Sequence, residues 1–200
     1  MKKINTKLLA VDMAECAIFV ALMVVGAFLQ IPFPLVPLTF QTVIAVLSGL
    51  LLGWKKGMIA MAVYMVMGLI GIPVFASGGG IYYVVKPSFG YIIGFIATAG
   101  VSGLFYNRPK KFWRYILLAL AGFLANYILG IPYFIAVWQL NGWPNLGHNI
   151  VIYNLYYMPK DAVLSVLAAI LAWSVLPAIR KGKLRLQEKS APERAEGKID

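Results

Sequence analysis

Acidic residues are scarce in this chain. Seven Asp and Glu stand against eighteen Lys and Arg in 200 residues, and there is one His and one Cys. A single cysteine, Cys16, excludes an internal disulfide; it lies in an apolar run, as a packed or lipid-facing thiol. A single histidine, His148, with no His/Cys/Asp/Glu grouping at ligand spacing, leaves no metal site to propose. The chain has no G-x-x-x-x-G-K-[ST] loop, so it does not hydrolyse ATP by that route. Ser, His and Asp occur without a nucleophile motif, so no catalytic residue is assigned and no cofactor is expected. Acids are nearly absent from the apolar runs as well. Asp12 and Glu15 lie near one end of the first run, close to Lys7, which argues against an ion-coupled transporter acting alone.

Apolar residues fill the space. They form 61% of the chain against 12% charged, where a soluble domain has roughly 25%. Mean hydropathy is +0.80. This composition defines an all-α integral membrane protein. Six runs can be marked: 8–30, 39–53, 57–71, 88–106, 112–140 and 159–179. The third, at about 22 Å, falls short of a roughly 30 Å bilayer core, so it either fails to span or a neighbouring loop completes the layer. The fifth carries Gly122, Gly130 and Pro132, which predicts a kink or an early exit near Pro132. The apolar run that follows Met-Lys-Lys is too long for a signal peptide and is taken as a first span.

The +11 net charge is not a nucleic-acid signal, because the cations cluster between apolar runs. Lys2, Lys3 and Lys7 precede the first. Lys55 and Lys56 divide the second from the third. Arg108, Lys110, Lys111 and Arg114 divide the fourth from the fifth, and Arg180, Lys181, Lys183 and Arg185 follow the sixth. With six spans all four clusters share a side. The positive-inside rule makes that side, and both termini, cytoplasmic. The expectation is a multi-pass protein of a prokaryotic plasma membrane, with a membrane domain over 1–181 and a charged, disordered tail over 182–200.

The opposite side carries three loops. The first, 31–38, is stiffened by three prolines. The second, 72–87, holds Phe75, Tyr82, Tyr83, the triplet Gly78–Gly80 and Lys86. The third, 141–158, holds Trp143, His148, Tyr153, Tyr156 and Tyr157. An interfacial aromatic belt accounts for most of these rings. It does not account for the glycines, which permit positive φ and close backbone approach. Apolar aromatic walls with a few polar groups are typical of small-molecule sites.

Asp161, with Lys160, opens the last run. An ionisable residue at a membrane span is a functional candidate by default, and an Asp in a first helical turn is also a cap. The two readings are compatible. Lys86 and Lys160 could each neutralise a ligand carboxylate or merely snorkel. Ala10, Ala14, Ala17 and Ala21 space small residues along the first span, for internal packing or for docking another membrane subunit.

Several motifs follow in order: Val36-Pro-Leu-Thr-Phe-Gln-Thr42, Leu50-Leu-Leu-Gly-Trp-Lys-Lys-Gly57, Gly68-Leu-Ile-Gly-Ile-Pro-Val-Phe75 with its glycine triplet, Lys86-Pro-Ser-Phe-Gly-Tyr-Ile-Ile-Gly-Phe95, and Met158-Pro-Lys-Asp161. This series resembles the BioY family, the biotin-binding S components of energy-coupling factor (ECF) transporters, over roughly 8–179. The resemblance implies a six-helix S-component fold, with biotin bound near the extracellular face under the first, third and fifth connections. Asp161 matches the family's biotin-contacting aspartate. Many relatives read Pro-Gly-Asp-x-x-Lys there; this chain has Lys160 and Leu164 in place of the Gly and the Lys, which leaves Lys160 or Lys86 to supply the positive charge. Some relatives also carry an Asn in the glycine loop, where backbone amides of Gly78–Gly80 could substitute. The candidate ligand-binding set is Asp161, Lys160, Lys86, Tyr91, Gly79, Gly80, Phe75, Gln41, Tyr82 and Asn154. The implied partners are biotin, the ECF transmembrane coupling subunit (docked on Ala10, Ala14, Ala17 and Ala21) and two ABC ATPases, within a lipid bilayer. An S component for another vitamin and a non-catalytic membrane assembly protein are the alternatives.

Overall fold

A computed structural model of the chain describes residues 6–31, 36–104 and 111–196, with side chains over 9–185 of these. Six main helices form the bundle: α1 (Thr6–Phe28), α2 (Gln41–Leu52), α3 (Trp54–Leu69), α4 (Phe89–Ser102), α5 (Phe112–Leu140) and α7 (Met158–Glu196), with a short α6 (Leu146–Ile150) before the last. A two-residue ribbon, β1 (Gln30–Ile31) against β2 (Leu38–Thr39), ties the ends of the first loop. Among the described residues, three runs are long and apolar enough to cross a membrane: Leu9–Phe28, Phe112–Leu140 and Leu146–Arg185. The helices α2, α3 and α4, of 12, 16 and 14 residues, are shorter. They reach only about 18–24 Å.

The break between α2 and α3 falls at Gly53, whose φ of 83° an L side chain rarely adopts. The chain after α3 folds back on its end: the Gly80 amide donates to Gly68 O at 2.7 Å and the Ile72 amide to Met67 O at 3.2 Å. Phe75 lies over Gly68, where a Cβ would stand 2.0 Å from the ring. The loop thus caps the short helix with backbone hydrogen bonds and an aromatic ring.

The most extensive packing joins α4 to α5. Glycines mark the crossing: Gly90 meets Tyr133, Gly94 meets Asn126, and Gly130 meets Tyr91. Without a Cβ at these points the helices approach closely, and van der Waals contact and interhelical polar groups hold them in a medium without hydrophobic drive.

Of the two outcomes expected at Pro132, the early exit does not occur, because α5 continues through Pro132 to Leu140. Within the third loop, α6 and a π turn (Val151–Leu155) lead into α7. α7 continues to Glu196 as one helix. The run is rich in Lys, Arg, Leu and Glu, good helix formers that need no core.

Among the described residues, basic side chains of α3 and α7 meet α1 at one end of the bundle. Lys56 at the start of α3 and Lys183 late in α7 both pair with Asp12 of α1, and Lys183 also pairs with Glu15 at 2.6 Å. Gly103 after α4 packs on Trp54.

Candidate small-molecule site

At the opposite end, residues from all three loops and from α2, α4, α5 and α7 enclose a cleft with about 560 Å³ of non-atom space, its open mouth included. Tyr83, Tyr91, Phe95, Tyr127, Tyr153 and Tyr157 supply aromatic wall, and Val36, Leu38 and Ile92 supply aliphatic wall. Gln41, Thr42, Ser88, Asn126, Lys160 and Asp161 supply the polar groups.

Asp161 is the centre of the polar chemistry. It is 6% exposed. Its Oδ2 accepts from the Tyr127 hydroxyl at 2.8 Å and the Thr42 hydroxyl at 3.3 Å. Its Oδ1 lies 2.7 Å from the Lys160 ammonium. That ammonium donates to Thr39 O at 2.6 Å, and Oδ1 accepts no well-directed hydrogen bond. The burial of this carboxylate is offset by its two hydroxyl donors and by the adjacent ammonium. The site therefore presents an acceptor beside a cation, both fixed by neighbours on other helices. Asp161 lies in the first turn of α7, and its main-chain carbonyl accepts from the Ser165 hydroxyl at 2.7 Å.

The rest of the site is held by a shell of bonds. Gln41 Nε2 donates to the Tyr64 hydroxyl at 2.6 Å, which donates to Val74 O at 3.0 Å; this chain ties α2 to the glycine loop. The Tyr91 hydroxyl donates to Asn154 Oδ1, and Asn154 Nδ2 donates to Ile150 O at 3.0 Å. The Tyr157 hydroxyl donates to Val36 O at 2.9 Å, which joins the first and third loops.

Among the candidate ligand-binding residues, Asp161, Lys160, Gln41 and Tyr91 line the cleft together. Asn154 stands behind Tyr91 and orients it. The others lie elsewhere. Phe75 is fully buried in the core, with ring centroids 5.5 Å from Tyr64 and 4.6 Å from Tyr83. It is large and apolar, and the Gly68 gap receives it. Tyr82 is 84% exposed and turned away, while its neighbour Tyr83 faces the cleft. Gly79 and Gly80 shape the loop without touching the cleft: a Cβ at Gly79 would stand 2.3 Å from Ile72 O, and Gly80 has φ 103°. Lys86 lies outside the lining, donating to Ser77 O at 3.3 Å with its ammonium 4.6 Å from the Tyr83 ring centroid. Sequence reasoning missed Asn126 and Tyr127, which sit in the middle of the apolar run of α5. An Asn inside a membrane run is itself a signal. Asn126 is 1% exposed and its Oδ1 has no hydrogen-bond partner.

On α1, Ala10, Ala14, Ala17 and Ala21 are all exposed, so they do not form the internal packing face. Among the described residues, no group of His, Cys, Asp and Glu could hold a metal.

Fold and site together define a polytopic helical membrane protein with a small-molecule pocket at one end of its bundle. Residues 1–181 match the BioY family, and the chain belongs to it. It is 38% identical over 174 residues to a "Probable biotin transporter BioY" of Lysinibacillus sphaericus, covering 84% of this chain and 87% of that protein. It is 36% identical over 163 residues to the "Biotin transporter BioY" of Thermotoga maritima, covering 80% and 93%. A crystal structure described as the S-component for biotin from an ECF-type ABC transporter shares the fold, with TM-score 0.62 and 22% identity over 84% of this chain and 92% of that one.

Proposed function

We propose that this chain is the biotin-binding S component of an ECF-type uptake transporter. In this reading it captures biotin outside the cell and has no catalysis of its own, while a transmembrane coupling subunit and two ABC ATPases supply the energy. The observation that carries the reading is buried Asp161, its Oδ1 ion-paired at 2.7 Å with the Lys160 ammonium, inside an aromatic cleft. Biotin has a cyclic urea, an apolar fused ring and a carboxylate on a flexible chain. A urea presents N–H and C=O on one edge. Asp161 Oδ1 would accept the N–H, and Lys160 would donate to the C=O. Tyr83, Tyr91, Phe95 and Tyr127 would cover the ring. Lys86, over the outer face of Tyr83, would meet the carboxylate at the mouth. Gln41 and Asn154 would act by holding the walls in place.

The exposed alanine face of α1 suits the coupling subunit, because small residues let membrane helices approach. The basic end, remote from the cleft, would be cytoplasmic, which places both termini there and the cleft outside, in a prokaryotic plasma membrane. Within this scheme 1–181 is the binding domain and 182–200 an appendage.

The test is equilibrium binding of biotin to the purified protein, with other vitamins as competitors. Saturable biotin binding that thiamine and riboflavin do not displace is expected. Binding of another vitamin in its place would overturn the substrate and spare the fold.

A further inference from the structure

A second recess lies at the basic end, far from the cleft, between the start of α5 and the later part of α7. It is lined by Tyr115, Trp173, Leu176, Pro177 and Arg180 and holds about 660 Å³ of non-atom space, its open side included. Its floor is aromatic. Trp173 meets Tyr115 edge-on at 5.3 Å and Phe112 at 5.8 Å, and Trp173 remains 41% exposed. Its head is cationic. Arg180 lines it, Lys181 follows, and Lys111 begins α5 one turn before Tyr115. Among the described residues, the stretches that build it, 111–120 and 162–185, contain no Asp or Glu.

The recess is also graded along its length. Trp173, Leu176, Pro177 and Arg180 share one face of α7 at helical spacing. Arg180 and Trp173 are seven residues apart, about 10 Å of helix. Charge therefore stands at one end and an aromatic ring at the other, with Ile170, 45% exposed, one turn further along the same face. An inorganic anion would use only the arginine. An amphiphile uses the whole length: a phosphate at Arg180, a glycerol region along Pro177 and Leu176, and an acyl chain past Trp173. Trp is favoured at that depth, and basic recesses between membrane helices suit anionic head groups.

We propose that this recess binds an anionic phospholipid, with Arg180 contacting the phosphodiester and Trp173 the upper acyl chain. The site is independent of the biotin reading. Native mass spectrometry of the purified protein, titrated with phosphatidylglycerol or phosphatidylcholine of identical chains, tests it. Wild type should retain phosphatidylglycerol over phosphatidylcholine by about fivefold or more, the value of one cation near an anionic head group. Arg180→Gln should remove that preference and Arg180→Lys should keep most of it. Lys86→Gln, at the far end, should keep all of it, and excess inorganic phosphate should displace nothing. Equal retention of the two lipids by wild type would overturn the site without recourse to any variant. Undiminished preference in a folded Arg180→Gln protein, or displacement by phosphate, would overturn it as well.

Discussion

Asp161 and Asp12 are both carboxylates on membrane helices, and both stand beside lysine, yet they belong to different kinds of structure. Asp161 is 8% exposed at its side chain; its lysine is its chain neighbour, and its remaining partners are two hydroxyls from α2 and α5. One of its oxygens still lacks a directed donor. Asp12 is 30% exposed at its side chain and is paired with Lys56 and Lys183 from two other helices. The first arrangement places its charges in the lining of an aromatic cleft. The second closes on itself where water can screen it. The difference teaches that a charge in a membrane protein is read from what remains unsatisfied around it, not from its presence.

Four substitutions probe that contrast, from the largest effect to the smallest. Asp161→Ala should weaken biotin binding by about 1.5–3 kcal/mol, the range for a hydrogen bond to a charged group, or roughly ten- to a hundredfold in Kd by calorimetry. An unchanged Kd would remove Asp161 from the site. Tyr127→Phe deletes the 2.8 Å donor to Oδ2 while keeping the ring. It should cost about 0.5–1.5 kcal/mol of affinity. Equal losses for biotin and for an analogue without the urea would show that Tyr127 acts through packing instead. Lys86→Gln should raise the Kd for biotin by no more than about fivefold, as for an exposed ion pair, and should not change that for an uncharged biotin amide. A loss shared by both ligands would separate Lys86 from the carboxylate. Asp12→Asn should leave binding unchanged and lower thermal stability by only about 0.2–1 kcal/mol, less in high salt. A large effect of Asp12→Asn on biotin affinity would collapse the contrast between the two ends.

Much of this architecture was legible in the sequence. The apolar runs gave six helices because a bilayer demands that every backbone group be satisfied within a segment. The span 112–140 matched α5 residue for residue, and Gly53 ended α2 where the Leu-Leu-Gly-Trp motif turned. The third loop was less legible, since α6 and the π turn have aromatic, mixed composition with no clean period. In the site, Asp161 and Lys160 could be picked out as charges at a span entrance, while Gln41 and Tyr91 came with the motifs that carry the family resemblance. Phe75, Tyr82, Gly79 and Gly80 lay close to the cleft in sequence but not in its lining, because the loop folds back on Gly68 and turns Tyr83, not Tyr82, inward. Asn126 and Tyr127 were hidden by an apolar run that reads as lipid-facing until α4 is placed against it.

The sequence by itself determined that this is a helical membrane protein, where its segments begin, which end collects the cations, and that Asp161 stands at a span entrance. Those properties follow from composition, period and charge, which act locally or along one axis. Only the tertiary structure decided which side chains share the cleft, that Asp161 keeps one oxygen without a directed donor, that Phe75 belongs to the core, and that a second recess opens beside Trp173 and Arg180. Each of these depends on distances between residues far apart in the chain. In this bundle those distances are set by glycine contacts between helices and by a loop packed on the end of α3, neither of which any single segment contains.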